Sequence, residues 1–149
     1  MSARSERPAA FLTPEETARV EAAIASAERR TSGEIRVVIS RRAKGDPLDA
    51  ARKTFDRLRM HETADRNGVL VFLAVSEHRF AILGDEGIHR HVGADGWNRV
   101  RDEMAERFAS DDFGGGLVHA IEAVGRVLSE HFPRREGDVD ELADQVVEE

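Results

Sequence analysis

The sequence contains no cysteine, which removes disulfide staples, thiolate metal sites and thiol nucleophiles together. It has no long apolar run either: the longest, Val69 to Val75, is about a third of what a transmembrane helix requires. The N-terminal stretch MSARSERPAA carries Arg4 and Arg7 with no apolar segment behind them, so no secretory signal peptide is expected. A basic excess is also missing. The formal net charge is −7 and the pI is near 5.4, which excludes a nucleic-acid footprint and suits cations or neutral partners. Lys44 and Lys53 are the only lysines, a compositional bias that needs no functional explanation. These absences predict a cytoplasmic protein with no membrane insertion.

The 149 residues suffice for one domain with one buried core. LTPEE opens the first helix: Thr13 can cap, Pro14 suits the first helical position, and Glu16 closes a Thr-x-x-Glu box. Val20, Ala23, Ile24 and Ala27 form its apolar stripe. Gly33 breaks the pattern, and alternation from Glu34 to Ser40 predicts the first strand. Asp46 and Pro47 start a second helix running to about Met60. GVLVFLAV, continuously apolar, predicts a central strand covered on both faces. The turn SEHR is too short for a crossover, so FAIL should return antiparallel. Trp97, Val100, Met104 and Phe108 keep helical spacing from about Asp95; SDDFGGG reads as a joint; Leu117, Ile121, Val124 and Leu128 mark a last long helix. The order αβαββαα predicts an α/β class fold, a three-layer α/β/α sandwich with a small mixed β-sheet. Residues 1–10 read as a flexible N-terminus, 11–133 as the domain, and 134–149 as an acidic C-terminal tail, mobile with at most one loosely docked helix.

Connection lengths bring the polar residues together. The first two strands, joined through a helix, should be parallel, so their N-terminal ends share an edge with the C-terminal end of the third. Three loops meet there: TSGE with Glu34; HETADRNG with His61, Glu62, Asp65 and Asn67; and GDEGIHRHVGAD with Asp85, Glu86, His89, His91 and Asp95. Carboxylate and amide oxygens of this kind are what hard cations want, six to eight at a time for calcium. Each piece also has a plainer reading. Asp65 to Gly68 lacks the spacing of an EF-hand and fits an ordinary turn; Asp95 fits a helix N-cap. His89 and His91, two apart on an extended segment, could take a transition metal, although solvated histidines are commoner. No hydroxyl nucleophile with a placed base stands out, so no catalytic residue can be named.

TSGEIRVVI, RNGVLVFLAV, FAILGDEGI, GADGW and RFASDDFGGGL, in that order, resemble the TPM domain family over about Phe11 to Pro133. HFP and the acidic end resemble its short bacterial branch without membrane anchors. The resemblance implies an α/β/α sandwich on a mixed sheet of about four strands, one more than the pattern shows. It further implies phosphatase activity or divalent-cation binding through acidic loops at one end of the sheet. Carried over by position, the metal ligands would be Glu34, Asp65, Asn67, Asp85 and Asp95. Many members have a signal peptide and a C-terminal transmembrane helix, which this sequence does not show, so a membrane role is not expected.

Together these point to a cytoplasmic domain that binds a divalent cation, calcium ahead of magnesium, and serves as an interaction module for an unknown protein partner. A weak metal-dependent phosphatase is the alternative, with Arg66 or Arg90 left to bind phosphate. A ligand-free structural interaction domain is the third reading.

Overall fold

The computed structural model of the chain describes residues 5–134 and 146–149. Its elements are α1 (Pro8–Phe11), α2 (Pro14–Glu28), β1 (Glu34–Ser40), α3 (Pro47–Arg57), β2 (Gly68–Ala74), β3 (Arg79–Gly84), α4 (Glu86–Ala109), α5 (Phe113–His131) and β4 (Val147–Glu148). The sheet order is β3-β2-β1-β4, with β1 parallel to β2 and β4, and β3 antiparallel to β2.

Local signals start the helices where the sequence puts them. Thr13 Oγ1 accepts the Glu16 N–H at 3.1 Å while Glu16 Oε1 accepts the Thr13 N–H at 2.9 Å, a reciprocal box that satisfies two of the end's orphan donors. Asp46 Oδ1 accepts the Leu48 N–H at 2.8 Å ahead of α3. That helix stops at Arg57 rather than Met60, because Arg59 turns left-handed at φ 58°.

β2 is buried at all seven positions, and its alternation sends side chains to two layers. Val69, Val71 and Leu73 join Ile35, Val37 and Ile39 beneath α2, α4 and α5, forming the larger core. Leu70, Phe72 and Ala74 face Ala51 and Phe55 of α3 in the smaller one. This is the three-layer α/β/α sandwich on a mixed sheet that the pattern implies. No helix among the described residues is long and apolar enough to cross a membrane.

Three segments differ from expectation. GDEGIHRHVGAD is not a loop: α4 begins at Glu86, kinks at Gly93 (φ 74°, ψ 167°) and continues to Ala109. Ile88 and Val92, one turn apart, both pack on the larger core, a spacing obscured by intervening polar residues and glycines. The glycines of DDFGGG form the first turn of α5, with Asp112 Oδ1 accepting the Gly115 N–H at 3.0 Å. A Cβ at Gly116 would lie 2.6 Å from the Phe108 ring, so close packing of α4 on α5 accounts for a residue that helix propensity disfavours. The fourth strand comes from the acidic end. The docked helix expected in that tail falls on residues 135–145, outside the described residues.

Candidate functional site

The predicted edge forms. Glu34 pairs with Gly68 and Val69 with Gly84, so the starts of β1 and β2 meet the end of β3. The loop ahead of β2 is tied to both neighbours. Asn67 carbonyl accepts the Glu34 N–H at 3.4 Å, and Arg66 carbonyl accepts the Gly87 N–H at 2.8 Å. A Cβ at Gly87 would sit 2.1 Å from the Asp65 carbonyl oxygen, so the α4 start rests directly on this loop. Arg66 bends the loop at φ 52°.

The other wall is the segment after α5. The Thr31 hydroxyl donates to the Phe132 carbonyl, and the Ser32 N–H donates to the same oxygen at 3.0 Å. Ser32, Asp65, His131, Phe132 and Pro133 enclose a cleft of about 180 Å³. His131 stacks on His91 of α4, ring centroids 4.0 Å apart and planes 14° apart, so three elements converge around the cleft.

Of the five expected ligands, three are neighbours along the backbone: the Asn67 carbonyl accepts the Glu34 N–H, and Asp65 lies two residues before Asn67. Glu34 and Asn67 are each 1 % exposed, and Asp65 is half-buried at the cleft. Asn67 Nδ2 donates to Ser32 Oγ at 3.3 Å and its N–H to Thr63 Oγ1 at 3.3 Å. Asn67 Oδ1 is buried without a hydrogen-bond partner among the described residues. Asp85 stands beside them but is committed. Its oxygens accept Arg66 Nε and Nη2 at 2.8 and 2.9 Å, and Oδ1 also accepts the Glu86 N–H at 2.8 Å, which caps α4. Arg66 further pairs with Glu86 at 3.3 Å. The hydrogen bonding that the guanidinium donates to Asp85 is the main reason its pKa rises above its ordinary value. Asp95 is exposed beyond the kink, in the first turn of the second half of α4. The five-ligand cage is therefore corrected. Among the described residues no group of three or more His, Asp or Glu side chains is placed to hold a metal ion.

The histidine pair is corrected too. Their segment is helical, so His89 and His91 project roughly 200° apart. His89 Nδ1 accepts the Trp97 Nε1–H at 2.9 Å, and His91 stacks elsewhere. Ser32, Thr63 and the His131–Pro133 wall were missed; nothing local in HFP marks it as a partner of a loop about 100 residues earlier. The role of Asp85 had a signal, an Asp-Glu start ahead of helically spaced Ile88 and Val92.

A mixed four-stranded sheet sandwiched by helices, with a polar loop edge beside the ends of three strands, defines a small α/β/α domain. The chain belongs to the TPM domain family, whose model matches residues 6–127. It is similar to the BA42 protein of the psychrophilic bacterium Bizionia argentinensis, an NMR structure. Identity is 39 %, 92 % of this chain and 94 % of that one are covered, and the TM-score is 0.84. Two further solution structures share the fold. The N-terminal domain of a P. gingivalis protein is 22 % identical over 84 % of this chain and 83 % of that one, with a TM-score of 0.67. The N-terminal domain of the cg2496 protein of Corynebacterium glutamicum is 16 % identical over 87 % and 80 %, with a TM-score of 0.63. None of the curated proteins matches the chain.

Proposed function

We propose that this TPM domain binds a divalent cation at its loop edge and uses the loaded edge to engage a protein partner. Glu34, Asp65 and Asn67 supply the side-chain ligands, with calcium ahead of magnesium. The observation that carries the reading is Asn67. A buried amide oxygen without a partner costs about 1–3 kcal/mol, and Oδ1 of this 1 %-exposed side chain is such an oxygen. A cation beside it would remove that cost. The donor set is all oxygen, which selects hard cations. Irregular loop geometry suits the six to eight flexible contacts of calcium better than the strict octahedron of magnesium. With so few side-chain ligands the affinity expected is weak, on the order of 0.1–1 mM.

Asp85 acts in this reading as a positioning residue: through Arg66 it fixes the loop that carries Asp65 and Asn67. The same pairing disfavours the phosphatase alternative, because Arg66 is engaged by two acids. Arg90, the other candidate for phosphate, is exposed and donates to the Glu86 carbonyl at 3.3 Å.

Thermal unfolding after chelation, repeated with calcium, magnesium, manganese or zinc, tests the proposal on wild type and Asp65→Asn. A ligand binding only the folded state adds about 2.7 kcal/mol at a hundredfold excess over Kd, which corresponds to a midpoint several degrees higher in a domain of this size. The expected result is a rise with calcium, smaller with magnesium, and lost in Asp65→Asn. A midpoint indifferent to all four ions would overturn the reading.

A further inference from the structure

The outer edge of β1 is covered piece by piece. Near its start the Ile35 N–H donates to Glu28 Oε2 at 2.8 Å. Farther along, Val38 and Ile39 pair with Val147 and Glu148, and the Glu149 N–H donates to the Ile39 carbonyl at 2.9 Å. Val37, Val38 and Ile39 are fully buried. Without β4 this half of β1 would be an apolar open edge, the kind that templates pairing with another strand.

What lies there is read by side chains as well as by backbone. The Val146 N–H donates to Glu21 Oε2 at 3.1 Å, and its side chain, 9 % exposed, enters the larger core. Val147 packs on the opposite face, against the smaller core. Arg57 then holds the Glu149 carboxylate through both oxygens, Nη2 to Oε2 at 2.8 Å and Nη1 to Oε1 at 2.5 Å. Backbone pairing supplies affinity, alternate side chains into two sockets supply selectivity, and a cation at the end selects an acid; this is how strand-adding peptide sites work. The strand that fills the site is only two residues long.

We propose that the β1 edge is a recognition groove for an extended, parallel segment of a partner protein bearing two adjacent β-branched residues followed by acids, and that Val146–Glu149 occupies it in cis. Charge complementarity at Arg57 and the two apolar sockets define that chemistry. Being tethered, the cis strand competes at a high effective concentration, so a free segment must be in excess or the cis strand weakened.

The test uses the full chain carrying Val146→Ser and Val147→Ser, which empties both sockets and leaves β1, Glu21 and Arg57 intact. Its amide resonances are followed while the peptide DQVVEE is added. The expected result is saturable shifts at Val38 and Ile39, no saturation with DQSSEE, and affinity at least tenfold weaker when Arg57→Glu is added. Equal response to both peptides, or none, overturns the proposal. If the serine variants do not fold, wild type decides: excess DQVVEE should accelerate hydrogen exchange of the Glu149 amide, and no change overturns it. Mass doubling of wild type, with intermolecular contacts from Val146 to Glu21, would make a second copy the occupant and overturn the partner assignment.

Discussion

Asp85 shows how one carboxylate can satisfy two sequence patterns. An aspartate ahead of Glu86 and Gly87 fits a cation loop and also fits a helix cap. What decides between them is Arg66, 19 residues earlier, whose guanidinium takes both oxygens. No local pattern announces that pairing. Asn67 was easier, since it directly precedes the strand whose alignment with β1 fixes the edge. Replacing Asp85 by alanine removes the cap, worth about 0.5–2 kcal/mol, and the ion pair. Because the Arg66 side chain is 43 % exposed, solvent screens that pair and it adds little to the cap. Asparagine caps nearly as well as aspartate. In urea titrations Asp85→Ala should thus lose about 0.5–2 kcal/mol, the worth of the cap, and Asp85→Asn markedly less. Equal losses would mean that the charge, not the cap, is what Asp85 contributes.

At the scale of the element, α4 is where sequence reasoning was least able to see. Gly87, Gly93 and Gly96 interrupt its N-terminal part on both sides of the kink, and each glycine costs a helix about 1 kcal/mol against alanine, so propensity favours a loop. Tertiary contact overrides propensity at Gly87, whose missing side chain lets the helix start approach the Asp65 carbonyl. Gly93 answers to a different constraint, since nothing crowds it but its backbone is left-handed at φ 74°. The two alanine substitutions should therefore be separable. Gly87→Ala forces backbone apart, costing about 1–3 kcal/mol, and it should also abolish the calcium-dependent rise in melting temperature, because the loop holding Asp65 and Asn67 must move. Gly93→Ala should cost about 1–3 kcal/mol through conformation alone and leave the calcium response intact. A preserved response in Gly87→Ala would detach the α4 start from the site.

For the molecule as a whole, three strands and their directions were legible because connection length and burial pattern fix them. A buried run such as β2 can only lie between two layers, and a four-residue turn can only reverse the chain. β4 was not legible: two residues carry no period, and their place depends on an edge created by β1, more than 100 positions away. That contrast in how the strands are specified should appear again in how they open. β2 is paired on both sides and buried throughout, so its amides can exchange only when the domain unfolds. With global stability of about 5–15 kcal/mol and tenfold per 1.4 kcal/mol, they should be slowed by at least roughly a thousandfold. β4 hangs on one neighbour over two residues, and its detachment withdraws only Val146 and Val147 from the two cores, the scale of a local opening. Native-state hydrogen exchange should therefore show the Glu149 amide far less protected than those of Val71 and Phe72, and insensitive to low urea, whereas the β2 amides track global unfolding. Equal protection at both places would mean that β4 is an integral part of the cooperative unit, and would remove the low-cost opening on which exchange at the β1 edge depends.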